Sequence, residues 1–458
     1  MSLGSMKERT AALGGAGAAV AAARVVSLLA AAVQLPILTR ALPPGEYGAI
    51  AVAMSIATYF ALVTSEPATL AFQRHPGSDG NRGNYAHALS KILPTVAIGG
   101  VTVVTIGLLS GGAESAIGIV AWGLSLALAR YTATAWLMWH RSWSYALNLM
   151  ASTVARTAML VGLVVSGVSG PVALIMAGAV SAAVSLILAP RASIRRQDMP
   201  AKPWPRSLGY LLAAASLGVT VLGSANVILL EHKVGPASTA SFAAMSQLAL
   251  LTSGAVASTV LTVIYPSLRR QWDAGEHEHV LKSVRVTQLL MVTIAGASVA
   301  AFTAFDGAIA GLIVEPSIVD VPTLCVLLIA TTIGAIGQTA GWLLQFRLEP
   351  RKLAQRTAIA SLVALALLIA SIWTVPTDPA RVAAIATAIG FTLYASMLRG
   401  RASVREPTVT VLVVALMGVA LAVLFLPTTA IAGAAAAAAA AVSFVAVTVL
   451  VLQMRKKS

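Results

Sequence analysis

The sequence predicts an all-α, polytopic membrane protein of about 14 transmembrane helices, built as two six-helix lobes in parallel repeat plus two C-terminal helices. Three observations carry this. The 458-residue chain is 58% hydrophobic and only 10% charged, where a soluble domain carries roughly 25% charged residues. Its apolar residues gather in runs of about 20, the length at which a helix crosses ~30 Å of hydrocarbon. Its positive charges fall almost entirely between alternate runs.

In lipid each backbone polar group must be paired within its own segment or in a closed barrel. A barrel would show alternating strands of about ten residues, and these runs do not alternate. Helical spans are therefore expected at roughly 11–36, 48–73, 92–110, 115–139, 147–168 and 171–189. Eight more are expected at 208–230, 239–265, 284–305, 321–342, 357–375, 380–398, 408–426 and 429–453. Lys7 and Arg9 ahead of the first run imitate a signal peptide. The run from Ala11 to Pro36 is too long for a signal core, contains Arg24, and is followed by many similar segments.

The longest polar break is PRASIRRQDMPAKPWPRS at 190–207, with four prolines and five positive charges. It divides an N-terminal six-helix lobe (1–195) from a C-terminal six-helix lobe (196–400), with two extra helices and a basic tail at 401–458. LTRALPPGEYGAIAVAMS (38–55) aligns without gaps on LLEHKVGPASTASFAAMS (229–246), each segment joining the first span of a half to its second. An even number of spans per half implies a parallel repeat about the membrane normal.

With the N-terminus in the cytoplasm, 25 of the 31 lysines and arginines fall on the cytoplasmic side. Arg40, Lys233 and Arg381 fall outside, and Arg24, Arg130 and Arg156 lie within spans. This is the positive-inside asymmetry, and it predicts a multi-pass protein of the bacterial cytoplasmic membrane with both termini cytoplasmic. The net charge of +15 is thus a signal of topology among membrane lipids, not a nucleic-acid footprint. Trp139, Trp143, Trp204 and Trp272 fall near cytoplasmic boundaries, where they are expected to anchor the helices at the interface. The single cysteine, Cys325, lies in an apolar run and reads as a small core residue.

Four ionisable residues lie clearly within spans: Arg24, Glu66, Arg130 and Arg156. Such residues are costly in lipid and face a cavity or a partner. Arg24 lies about 13 residues, or ~20 Å, into its span, and shares a helical face with Ser27, Ala31 and Gln34. Glu66 belongs to a stripe of Ser55, Tyr59, Leu62, Glu66, Thr69 and Gln73, and Pro67 is expected to kink that helix. Arg130 and Arg156 lie about nine residues, or ~13 Å, from their inner ends, a long snorkel. Each of the four can line a substrate cavity; an ion pair or a snorkel is the competing reading. An arginine fork grips phosphate or pyrophosphate bidentately, where lysine is a point charge.

The spans of the second half are neutral and offer Asn226, Gln247, Gln288, Gln338 and Gln345. Thr331, Ala335, Gln338, Trp342 and Gln345 follow one helical line. Amides and an aromatic plate suit a sugar, and the same line suits helix–helix adhesion. The candidate substrate-binding residues are Arg24, Arg130, Arg156, Gln34, Asn226 and Gln338; Glu66 is the candidate for coupling to an ion. His277 and His279, in EHEH, read as a solvated loop. The sequence holds no phosphate-binding loop, so no cofactor is expected, and the driving force would be a proton or sodium gradient.

The segment ARVVSLLAAAVQLPILTRALPPGEYGAIAVAMSI resembles the first two spans of bacterial polysaccharide flippases, with their R-x-L-x-P-x-x-Y/F-G turn at Arg40, Leu42, Pro44, Tyr47 and Gly48. GLIVEPSIVDVPTLCVLLIA is similar to their short acidic outer segment before an apolar helix. The chain thus resembles the polysaccharide transporter branch of the multidrug/oligosaccharidyl-lipid/polysaccharide flippase superfamily. The resemblance implies two lobes around a V-shaped cavity and alternating access. It implies transport of undecaprenyl-pyrophosphate-linked oligosaccharide, with a cationic lumen residue at Arg24 engaging the pyrophosphate. Glycosyltransferases and a polymerase of the same pathway would be partners. A multidrug or small-metabolite exporter of the same superfamily is the first rival, and a non-transporting component of envelope glycan assembly the second.

Overall fold

Every regular element among the described residues is a helix. The computed structural model describes residues 3–74, 100–101, 112–138, 141–189, 206–254, 264–265, 267–305, 307–347, 349–374 and 378–399, with side chains from residue 18 except at 68, 70–74, 113, 137–138, 206–209 and 399, and a few isolated positions beyond 413. The spans expected at 92–110 (apart from 100–101), 408–426 and 429–453 (apart from those isolated positions), and the linker to 205, lie outside the described residues.

The helices are α1 (Leu3–Ala41), α2 (Pro44–Arg74), α3 (Ala113–Met138), α4 (Ser142–Val165), α5 (Gly170–Ile187) and α6 (Arg206–Val234). There follow α7 (Pro236–Ala249), α8 (His277–Ala304), the short α9 (Ala308–Ile313), α10 (Val321–Phe346), α11 (Pro350–Thr374) and α12 (Pro379–Arg399). Ten of these are long and apolar enough to cross a membrane, and each coincides with an expected span. The expected span 239–265 is described as far as 254: α7 passes directly into a π-turn, Leu250–Gly254.

Proline opens α2, α7, α11 and α12 at the first position, and stands second in α5 and α10. The ring sits where no intrahelical N–H bond is lost and its fixed φ is already helical. Several helices begin well before their apolar runs, among them α1 at Leu3, α4 at Ser142, α8 at His277 and α11 at Pro350. Hydropathy registers the part of a helix that lies in hydrocarbon, while hydrated polar turns extend it. His277 and His279 accordingly lie in the first turn of α8, not in a loop. Glu278 in that turn favours the helix start through the macrodipole. Trp143 is exposed at the start of α4, as an interfacial anchor would be, but Trp272 stacks on His277 at 4.2 Å and Phe346 at 5.8 Å.

The chain forms two compact units, one of residues 1–34 with 52–217 and the other of residues 35–51 with 218–458. In the first, α3 packs on α4 and α5, and α4 on α5. Small residues permit close approach: a side chain at Gly178 of α5 would strike the backbone of Ala121 and Trp122 on α3. Buried Asn148 of α4 joins the three helices, accepting from the Thr132 hydroxyl at 3.0 Å and donating to the Ser185 carbonyl at 3.3 Å.

In the second unit α10 is the central helix, packed by α7, α8, α11 and α12. Cys325 is fully buried in it, as its apolar run suggests. Polar pairs pin its neighbours: Gln288 donates to Thr339 at 2.7 Å, and Ser253 of the π-turn meets Thr331 at 2.7 Å. The turn joining α1 to α2 also belongs to this unit, and several residues of its motif have partners there. Arg40 donates to the carbonyls of Gly311 and Leu312 at 3.2 and 2.8 Å. The Thr39 hydroxyl accepts from the Glu315 amide at 3.3 Å. Leu42 and Tyr47 are buried, and the Tyr47 hydroxyl donates to Gln247 at 3.4 Å. Gly48 lies against the backbone of Pro236.

Candidate functional site: an arginine cluster in the first unit

Arg24 on α1, Glu66 on α2, Arg130 on α3 and Arg156 on α4 all belong to the first unit. Small residues bring three of these helices close. Ala19 and Ala23 of α1, Ala133 of α3 and Tyr145 and Ala146 of α4 form one buried cluster, bordered by Val20, Trp136, Leu149 and Met150. Arg24 follows Ala23, and Arg130 precedes Ala133 by three residues, so both lie at the edge of that cluster.

Arg130 donates to the Glu66 carboxylate at 3.0 Å. Its side chain is 38% exposed and that of Glu66 16% exposed, so the carboxylate is the more buried partner. The Thr69 hydroxyl lies 3.4 Å from the second carboxylate oxygen. Tyr145 is within electrostatic reach of both Arg24 and Arg130, and Arg156 is within reach of Arg130. The guanidinium of Arg156 lies over the Trp122 ring, 4.9 Å from its centroid. Trp122 and Tyr145 do not stand out in the sequence as ionisable residues do. A signal for Tyr145 exists nonetheless: Tyr145, Leu149, Ser152 and Arg156 recur at four-three-four spacing on α4.

Arg156 lies 14 residues after Ser142, about 21 Å along α4; the hydrated first turns account for the difference from its ~13 Å depth in the apolar run. Among the described residues Arg24 and Arg156 have no acidic partner. Among the described residues the three arginines are thus accompanied by a single paired carboxylate, Glu66 on Arg130. A guanidinium so placed keeps unused donors in a fixed fork, and a cluster of them can hold a multiply charged oxyanion.

The three amide candidates do not join this cluster. Gln34 donates to the Met54 sulfur on α2 at 3.7 Å. Asn226 is 1% exposed; it donates to Thr387 of α12 at 2.8 Å and accepts from the Val227 amide at 2.8 Å. Its chemistry is spent between helices, which is the adhesive reading of a polar residue in a membrane span. Gln338 lies in the second unit on α10 and is exposed. Trp342 is not an open aromatic plate: it is 8% exposed and packs edge-on to Tyr265 at 5.2 Å.

No protein-family model and no curated protein matches the sequence. Solved structures do match. The chain superposes on the MATE multidrug transporter DinF-BH with a TM-score of 0.59 at 14% identity, over 85% of this chain and 95% of that one. It superposes on the lipid II flippase MurJ, in an inward closed conformation, with a TM-score of 0.57 at 13% identity, over 94% of this chain and 97% of that one. Both belong to the superfamily that the first two spans resemble, and this chain has their all-α, multi-pass membrane fold.

Proposed function

We propose that this protein is a flippase that carries an undecaprenyl-pyrophosphate-linked oligosaccharide across the bacterial cytoplasmic membrane by alternating access. The observation that carries the reading is the imbalance of charge at this cluster, where only Arg130 of the three arginines has an acidic partner, Glu66, among the described residues. A pyrophosphate offers the oxygens that two or three guanidinium forks can grip, and its prenyl chain can remain in lipid. Two six-helix lobes, 1–195 and 196–400, rock about the site, with 401–458 appended and both termini in the cytoplasm. Glu66 is the coupling residue. Glycosyltransferases of the pathway supply the substrate, and a polymerase receives it.

A multidrug exporter is the competing reading, supported by the likeness to DinF-BH. Cationic drugs call for an excess of carboxylates, and the cluster has the opposite sign. The experiment that tests the proposal is a deletion strain. The flippase reading expects lipid-linked glycan to accumulate on the cytoplasmic leaflet, restored to normal by the wild-type gene and not by Arg24→Ala present at wild-type membrane levels. Unchanged glycan distribution with new sensitivity to cationic drugs would overturn it.

A further inference from the structure

Along the 26 residues of α10, only Gln338 is exposed. Thr331 and Gln345, seven residues before and after it, are half-buried, and between them every other residue is buried. Spacings of seven bring side chains back to one face. The uncovered part of this stretch of the central helix is thus a single line, Thr331–Gln338–Gln345, about 21 Å long at 1.5 Å per residue.

A face turned to lipid looks different in the same unit. From Ile359 to Trp373 the exposed large side chains of neighbouring α11 are Ile359, Leu362, Val363, Leu367, Ile369 and Trp373, all apolar or aromatic. The line on α10 is polar throughout, and α10 carries no charged residue between Asp320 and Arg347. Gln338 makes no side-chain hydrogen bond among the described residues. At either end the line is held by fixed hydroxyls, with Ser253 on Thr331 at 2.7 Å and Tyr265 donating to Gln345 at 3.0 Å.

We infer that this line is the surface on which the glycan of the transported lipid rests, with Gln338 as its principal contact. The inference rests on the flippase reading. A carboxamide offers one acceptor and two donors, which matches the mixed donors and acceptors of neighbouring sugar hydroxyls. A neutral line binds them without the desolvation cost of a charge. Its length accommodates several sugar rings. The arginines of the first unit are the contrasting chemistry, suited to phosphate.

The test uses the full chain in nanodiscs and two lipids: synthetic undecaprenyl pyrophosphate, and the undecaprenyl-pyrophosphoryl oligosaccharide purified from the deletion strain. Gln338→Leu and Gln338→Met both suit a membrane helix, and neither removes a hydrogen bond among the described residues. Each should weaken binding of the glycan-bearing lipid about five- to tenfold, the loss of about one net hydrogen bond, and leave the sugar-free lipid unchanged. Arg156→Ala should weaken both. Wild-type affinity of both variants for the glycan-bearing lipid would overturn the inference and leave the flippase reading standing. Failure of the wild-type protein to bind either lipid would overturn both.

Discussion

Gly48 and Pro236 are in backbone contact: a Cβ placed on Gly48 would overlap the Pro236 carbonyl. Pro236 opens α7 as Pro44 opens α2, and Gly48 lies one turn into α2. The obstacle is main chain, which cannot swing aside as a side chain would. Gly48→Val should therefore destabilise by about 1–3 kcal/mol, the usual cost of overpacking. Gly45 has nothing within 4 Å of a built Cβ, so Gly45→Ala should be neutral. Thermal unfolding of the two purified variants checks the contrast.

Asn226→Ala should behave as a folding variant. The amide is buried and bonded to Thr387, and its loss should cost about 1–3 kcal/mol. Transport per folded molecule should stay at the wild-type level. A melting curve paired with flux normalised to folded protein separates the two effects, and lost flux at normal stability would restore Asn226 to the binding site.

Glu66→Gln should show the reverse pattern. With Arg130 38% exposed, the ion pair contributes no more than about 1 kcal/mol to stability. The variant should melt near the wild-type temperature yet lose ion-driven transport, while still binding undecaprenyl pyrophosphate. Flux into proteoliposomes with and without an imposed proton or sodium gradient gives the readout.

Arg156→Lys distinguishes a guanidinium fork from a bare charge. Lysine retains the positive charge but not two parallel donors, and stacks less well on Trp122. Affinity for undecaprenyl pyrophosphate should fall about tenfold, on the order of one charge-assisted hydrogen bond, and further in Arg156→Ala. Equal affinity in Arg156→Lys and wild type would remove the fork from the mechanism.

The helices are legible in the sequence because hydrocarbon thickness imposes one length on every span. Their hydrated ends are less so, as α4, α8 and α11 show by starting early. Arg24, Glu66, Arg130 and Arg156 stand out because ionisable groups are rare in lipid. The pairing of Arg130 with Glu66 does not, since the two are 64 residues apart. The amides are harder. Asn226 and Gln338 look alike in sequence, each a polar residue in an apolar run, and only packing makes one an adhesive and leaves the other uncovered. The R-x-L-x-P-x-x-Y-G turn is recognisable as a pattern, but its physical reason lies in partners far along the chain.

That distance has a consequence for synthesis. Tyr47 waits for Gln247, 200 residues later, and Arg40 for carbonyls 271 and 272 residues later. At about 5–20 residues per second the ribosome needs roughly 10–50 s to supply them. Throughout that interval the first hairpin sits in the bilayer with its arginine and its tyrosine hydroxyl lacking their final partners. The nascent chain must therefore remain open to late rearrangement, and halves translated separately from a break at the polar linker would have to exchange residues 35–51 before the second unit could close.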